Sequence, residues 1–313
     1  MSIAEVSTRL PGSSARWRAN VVLLVVTMIW GATFTLTKTA LVSVPAMPFL
    51  ASRFVIAVIF LVPFVVFRRA SRASLRQART YVVGGVLGIV LFLGYATQTL
   101  GLLTVSPARA GFLTGLSVVL VPIVSVLSRR ASSTKRLWIA TFLALLALLV
   151  LNHFQWLSFQ SGDALILLCA LCFALQINGT DSFGTRLDSM SLAFVEILVV
   201  AACSAGVTAF STIHHPYAGM LAPRVLLALL LNGAGGTSFA YAAQTYFQRH
   251  TSAAQIAIIF TLEPVFAAIF AVFLYGERLS SAIVLGGLLI LGSMFFADEQ
   301  LAWFRRTNGR RSP

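Results

Sequence analysis

Residues 94–99, Gly-Tyr-Ala-Thr-Gln-Thr, return at 240–245 as Ala-Tyr-Ala-Ala-Gln-Thr. Tyr95, Ala96, Gln98 and Thr99 fall on Tyr241, Ala242, Gln244 and Thr245 at an offset of 146, and residues 94–152 align with 240–298 without a gap. Further out, Ser106 falls on Ser252, Ala108 on Ala254, Val119 on Val265 and Ile123 on Ile269. At an offset of 143, Trp30-Gly31 falls on Phe173-Ala174 and Met47 on Met190. Apolar segments match one another readily by chance, but a half-polar Tyr-Ala-x-Gln-Thr run does not. The chain is built from two related halves, joined by a short loop around His153 to Gly162.

The halves are strongly apolar. Of 313 residues, 58% are hydrophobic and 10% charged, against about 45–50% and about 25% in soluble domains. So few charges cannot cover a globular surface, which excludes a soluble enzyme, a disordered chain and a small disulfide scaffold. A membrane-crossing helix needs about 20 apolar residues to span about 30 Å of hydrocarbon. Ten stretches qualify, at 20–42, 46–67, 80–104, 107–128, 136–152, 162–184, 189–211, 224–247, 251–275 and 281–297. They are too long for barrel strands and lack their alternation. The first follows Arg9, Arg16 and Arg18, yet its length and the absence of a small-residue cleavage site mark it as a retained helix.

The net charge of +14 sorts by side. Arg68, Arg69, Arg72, Arg76 and Arg79 follow span two; Arg129, Arg130, Lys135 and Arg136 follow span four. Arg186, Arg249 and the tail arginines 305, 306, 310 and 311 lie on the same side as the N-terminal three. Only Lys38, Arg53, Arg109, Arg224 and Arg278 lie elsewhere. The positive-inside rule then puts both termini in the cytoplasm. Five spans per half is odd, so the second half enters the membrane from the opposite side. The expected fold is an all-α integral membrane protein of ten transmembrane helices in two inverted five-helix repeats, 20–152 and 162–298. Cytoplasmic tails occupy 1–19 and 299–313. Inverted repeats recur in secondary transporters, where exchange of two near-equivalent conformations gives alternating access. The basic loops attract anionic headgroups by about 1 kcal/mol per residue near the surface, and no basic face on a soluble module speaks for nucleic acid.

The segment Leu262-Glu263-Pro264-Val265-Phe266-Ala267-Ala268 with Tyr275-Gly276-Glu277-Arg278-Leu279-Ser280 resembles the penultimate helix of the EamA family of the drug/metabolite transporter superfamily. Trp30-Gly31 with Phe34, and Pro48 with Arg53-Phe54, resemble its first two helices. The resemblance implies ten helices, cytoplasmic termini and movement of small metabolites, commonly amino acids, with efflux the implied direction. The first half departs from the pattern: Arg130-Ala131-Ser132 stands where Gly-Glu-Arg is expected, and the proline expected near Val118 is Pro122.

Polar groups inside spans need a reason, since a charge at mid-bilayer costs about 2.5–3.5 kcal/mol. Glu263 lies about 12 residues, or roughly 18 Å, into span nine, next to the kink-forming Pro264. It is either a substrate-amine or proton site, or a structural glutamic acid bonded to carbonyls beside the kink. Arg53 and Glu196 are repeat partners, each about seven residues inside its span. They gate opposite faces, snorkel, or form fixed ion pairs; Glu196 is the second candidate for proton coupling. Tyr241, Gln244, Thr245 and Gln248 share one helix face at i, i+3, i+4, i+7, and Tyr95, Gln98 and Thr99 repeat its start. These read as paired gates, or as interhelical hydrogen bonds. At mid-membrane Trp30, Thr33 and Thr37 share one face of span one, and Phe173, Gln176 and Thr180 the matching face of span six.

Other motifs carry less. Cys169-x-x-Cys172 lies in an apolar helix, where cysteines behave as small hydrophobes. The sequon at Asn178 is inside a span, and His214-His215 has no third ligand nearby. The Gly84-Gly85-x-x-Gly88 and Gly233-x-Gly235-Gly236 runs fit close helix packing. No cofactor or metal is called for.

The sequence therefore points to a secondary transporter of a bacterial inner membrane, moving a small organic metabolite, best an amino acid or relative. Trp30, Thr33, Ser117, Gln176 and Glu263 are its expected binding residues, and Tyr95, Gln98, Tyr241, Gln244 and Gln248 its expected pore lining. A multidrug, cation or nucleoside carrier of the same fold is the nearest alternative. An intramembrane enzyme would need converging acids, bases or ligands, whereas histidines 153, 214, 215 and 250 lie at loops or span ends. A passive channel would need charged rings or a filter motif.

Overall fold

The computed structural model describes residues 13–128, 135–151, 160–183, 187–212, 214–247, 250–275 and 281–297. Among them the secondary structure is helical, with no strand. Gln248, Arg186, Arg249, Gly276 to Arg278, most of both tails and the loop joining the halves lie outside the described residues.

The first half runs α1 (Ser13–Leu41), α2 (Ala46–Phe67), a short α3 (Arg69–Leu75), α4 (Ala78–Gly101), α5 (Pro107–Gly115), α6 (Ser117–Leu127) and α7 (Lys135–Leu151). The second runs α8 (Ser161–Phe183), α9 (Ser189–Ala209), α10 (Pro223–Leu230), a π-helical stretch Leu231–Phe239, α11 (Ala240–Phe247), α12 (Ala253–Phe260), α13 (Glu263–Tyr275) and α14 (Ser281–Ala297). Seven of the described helices are long and apolar enough to cross a membrane, with α5–α6 and α10–α11 each counting as one. The stretches expected as spans five, nine and ten form shorter helices. α7 and α14 have 17 residues each, at the lower limit for crossing, and span nine is divided into α12 and α13.

That division has a counterpart. Span four breaks between α5 and α6 at Leu116, and span nine between α12 and α13 at Thr261-Leu262. Leu116 N–H bonds back three residues to Leu113 C=O, and Leu262 N–H likewise to Ile259 C=O, each a tightened turn. Both broken spans start alike, with Ser106 accepting from Arg109 N–H and Ser252 from Gln255 N–H. Pro264 has no N–H to continue α12 and suits the first turn of a new helix. The first half breaks at the same register without a proline there.

Packing crosses the halves. α2, α4, α8 and α9 pack together, α7 lies against α14, and α1 runs between α13, α11 and the π-helical stretch. Glycines set the closest approaches. A Cβ on Gly31 would meet the Glu263 carbonyl oxygen at 2.8 Å and Ala267 N at 2.9 Å, so α1 touches α13 backbone to backbone. Gly84 and Gly88 bring α4 onto Val195, Glu196 and Val199 of α9. Gly233 and Gly236 seat the π-helical stretch on α2 and α1.

The outside is apolar and the inside partly polar. Phe60, Phe64, Val82, Ile89 and Leu288 are exposed, a surface matched to lipid rather than water. Many buried hydroxyls are satisfied within their own helix: Thr27, Thr99, Ser204 and Thr245 each donate to the carbonyl four residues back. With no water in the bilayer core, such internal satisfaction is required.

Ion pairs join the halves at both ends. At the α5 and α8 starts, Arg109 Nε and Nη2 donate to Asp163 Oδ1 and Oδ2 at 2.7 and 2.6 Å. At the α9 start, Arg68 lies 3.6 Å from Asp188. Asp188 also accepts from Ser71 Oγ at 2.8 Å and from Ser191 N–H at 3.0 Å. Burial works against the charge on Asp188, but these hydrogen bonds, the Ser191 hydroxyl and the Arg68 guanidinium hold its carboxyl below the usual range. Lys38 Nζ donates to the Leu102 and Leu103 carbonyls at the end of α4, rather than reaching outward.

Candidate functional site

At the level where α5–α6 and α12–α13 break, the helices enclose a cavity of about 50 Å³. Its wall contains Trp30 and Thr33 from α1, Ser117 from the first turn of α6, Gln176 from α8, and Glu263 from the first turn of α13. All five residues expected to bind substrate are thus brought together. Tyr95, Gln98, Tyr241 and Gln244 line the same space, so the two polar stripes converge on one cavity. Arg53 lines it too.

Broken helices explain the depth of two of these groups. Ser117 and Glu263 are repeat partners, and each opens the second segment of its span, where N–H groups lack intrahelical partners. The cavity is further lined by other repeat partners: Trp30 with Phe173, Thr33 with Gln176, Tyr95 with Tyr241, Gln98 with Gln244. Thr114 and Phe260 complete such a pair. Neither was singled out from the sequence, although Thr114 lies three residues before Ser117 and so on the same helix face.

The π-helical stretch holds several of these side chains. Trp30 Nε1 donates to Gly236 C=O at 2.6 Å, and the Trp30 ring meets Phe260 edge-on with centroids 4.9 Å apart. Arg53 Nε donates to Thr237 Oγ1 at 2.8 Å. Thr37 Oγ1 donates to Asn232 Oδ1 at 3.2 Å, and Ser238 Oγ to Ala57 C=O at 2.6 Å. A π-helix widens the turn and recurs at functional sites. Its signal in the sequence is the Gly233-x-Gly235-Gly236 run, which by itself fits close helix packing.

Arg53 is 3% exposed, which rules out snorkelling. Its Cζ lies 4.9 Å from the Tyr95 ring centroid and 5.5 Å from that of Phe54. Aromatic faces carry negative charge density, and such a contact is worth about 2 kcal/mol when desolvated. The Tyr95 ring packs edge-on against Phe54 and Phe173. Arg53 and Glu263 face the same cavity, yet no ion pair within 4.0 Å joins them; the ion pairs among the described residues are Arg68–Asp188 and Arg109–Asp163.

Glu196 does not line the cavity. It is 0% exposed, and its Oε2 accepts from Gln176 Nε2 at 3.0 Å and from the Tyr241 hydroxyl. Gln176 Nε2 is also within hydrogen-bond reach of the Tyr241 oxygen and of Thr180 Oγ1, so its two hydrogens are shared among three acceptors. Asn178 is buried and ties α8 to α6 through Ser125 and the Val121 carbonyl.

Membrane-length helices around an internal cavity with polar groups set in an apolar wall, in two matching halves, define a multi-pass membrane transporter. The chain belongs to the EamA-like transporter family, whose model matches residues 17–153 and again 160–297. It is 32% identical over 276 residues to a protein of Archaeoglobus fulgidus known as an uncharacterized transporter, a match covering 88% of this chain and 84% of that protein. A crystal structure of a protein 19% identical to it has the same fold, with a TM-score of 0.73 over 90% of this chain and 96% of that one.

Proposed function

We propose that the protein carries a small zwitterionic metabolite, an amino acid or close relative, across a bacterial inner membrane. The carrier has ten spans and cytoplasmic termini, and it works by alternating access of its two inverted halves. Efflux is the direction the family pattern favours. The observation that supports the substrate is the pair of opposite charges, Arg53 and Glu263, facing one cavity without being joined. The Arg53 guanidinium receives the substrate carboxylate, whose planar oxygens match its fork of donors. Glu263 receives the ammonium. Trp30, Tyr95 and Phe173 enclose the remaining side chain, and Ser117, Thr33 and Gln176 complete the polar wall. Tyr95 with Gln98, and Tyr241 with Gln244, line the routes to either side, a stripe that Gln248 extends in sequence.

The test uses the purified full chain in liposomes, with radiolabelled amino acids, nucleosides and cationic drugs as probes. Saturable flux of an amino acid is expected. Arg53→Gln and Glu263→Gln should each weaken its apparent affinity about 10- to 100-fold, the loss of one charge-assisted bond. Flux confined to cations, with Arg53→Gln unaffected, would assign the cavity to amines instead. Absence of saturable flux for every class would end the carrier reading.

A further inference from the structure

Glu196 is a buried carboxyl that substrate binding leaves unused. It stands one side chain behind the cavity wall: Gln176 and Tyr241 line the cavity, and both donate to Glu196 Oε2. Its other oxygen, Oε1, is buried without a hydrogen-bond partner. From the far side α4 closes over it, since a Cβ on Gly88 would lie 3.1 Å from Glu196 Cα. The charged and titratable groups of the elements around it are few. α11 brings Tyr241, with Tyr246 exposed; α4 brings Tyr95, with Arg79 and Tyr81 exposed at its start; α2 brings Arg53; and α8 brings Cys169 and Cys172 beside the neutral Gln176, with Asp163 paired to Arg109 at one end and Asp181 exposed at the other. α3 brings only arginines at the far end of α9, beside Asp188. Arg53 is held on Tyr95 and Thr237, and among the described residues no cation lies within 4.0 Å of Glu196. An ionised carboxylate buried without a cation is costly, and a proton is the counter-charge this enclosure can admit.

Resting on the carrier reading, we propose that Glu196 is a proton-binding site loaded from the central cavity through the hydroxyl of Tyr241. A proton from the cavity adds to the Tyr241 oxygen while the tyrosine's own proton passes to Glu196 Oε2. One O–H bond breaks on a hydronium ion in the cavity, leaving water; one forms and one breaks on tyrosine; and one forms on the carboxylate, with no electrons changing hands. The net result is one proton moved inward and a charge of −1 brought to zero. Oε2 then binds the Gln176 amide less strongly, so Gln176 and Tyr241 are free to turn towards a substrate carboxylate. Proton and substrate therefore bind cooperatively, while Glu263 remains with the ammonium.

Infrared difference spectroscopy of the purified full chain tests the site without any substrate. On acidification, wild type should gain a carboxyl C=O band that Glu196→Gln lacks and Glu263→Gln keeps. After a pH jump, Tyr241→Phe should gain it more slowly. Identical spectra for wild type and Glu196→Gln would overturn the site, and an unchanged rate in Tyr241→Phe would overturn the route. Should Glu196→Gln not fold, Glu196→Asp must shift the band, and an unshifted band overturns the site equally. In liposomes with equal pH on both sides, apparent affinity for a transported amino acid should tighten about 2- to 10-fold at acid pH. Glu196→Gln should remove that dependence; flux indifferent to pH in wild type would refute the coupling and leave the carrier standing. Loss of all flux would remove the carrier reading, whereas the infrared titration would still decide whether Glu196 takes up a proton.

Discussion

Arg53 and Glu196 occupy matching positions of the two halves, as do Tyr95 and Tyr241, and in each half the charge touches the tyrosine. The contacts differ because the charges do. The cation lies over the ring of Tyr95, 4.9 Å from its centre, and its guanidinium faces the cavity. A carboxylate is repelled by that face, so Glu196 takes the hydroxyl of Tyr241 instead and withdraws behind the wall. Ser117 and Glu263 reverse the assignment, with the second half placing the charge at the cavity and the first a hydroxyl. Two matching halves give a nearly symmetric enclosure. On the proposed function, recognition of an object with two different ends comes from the positions where the repeats disagree.

The largest expected effect comes from forcing the first half to copy the second. Arg53→Glu sets a carboxylate against the face of Tyr95 with no hydroxyl in place, and about 3–5 kcal/mol is lost when a buried charge is left uncompensated. This variant should fail to give a monodisperse peak on size-exclusion chromatography. A folded Arg53→Glu protein would break the rule that the sign of the charge dictates its geometry.

A smaller effect separates the two tyrosines. Tyr241→Phe removes a donor to a fully buried carboxyl and should cost about 1–3 kcal/mol, read as a lower melting temperature. Tyr95→Phe keeps the ring contacts and should melt close to wild type. Equal losses would mean that Tyr95 acts through its hydroxyl as well.

The smallest effect concerns the start of the second helix in each half. α2 begins at Pro45, which offers no side-chain cap, whereas its partner α9 begins at Asp188, which caps Ser191 N–H. Because the Asp188 carboxyl is held below its ordinary value near 3.9, its stabilisation is complete above about pH 4 and fades as pH falls through that lowered value. The melting temperature of wild type should exceed that of Asp188→Asn by no more than a few degrees at neutral pH. The gap should close on acidification, and a gap that widened at low pH would contradict the assignment.

Much of the candidate site was legible because lipid makes polar residues conspicuous. Trp30, Thr33, Gln176 and Glu263 stood out as polar or amphipathic groups at mid-span, and the repeat doubled the signal for Tyr95 and Tyr241. What the sequence did not disclose depends on distant partners. Arg109 counted only as a basic residue off the cytoplasmic side and Asp163 drew no attention, although they form a bidentate pair. The break at Leu116 carries no proline to announce it, unlike that before Pro264. Glu196 read as a possible gate because its depth could be counted along a helix, whereas its withdrawal behind Gln176 and Tyr241 depends on three helices meeting. The lengths of α7 and α14, by contrast, were legible, because polar residues such as Asn152 and Asp298 close their apolar runs.

The interleaving of the halves also bears on how the chain is made. Trp30 must wait for Gly236, 206 residues later, and Arg53 for Thr237, 184 residues later. At about 5–20 residues per second of synthesis, the buried arginine sits in the membrane without its hydrogen-bond acceptor for roughly 10–40 s. During biogenesis the first half is therefore an unfinished bundle carrying an unsatisfied charge. Proteolytic surveillance has its window then, and a mutation that slows the arrival of the π-helical stretch would lower the amount of protein before it altered any transport rate.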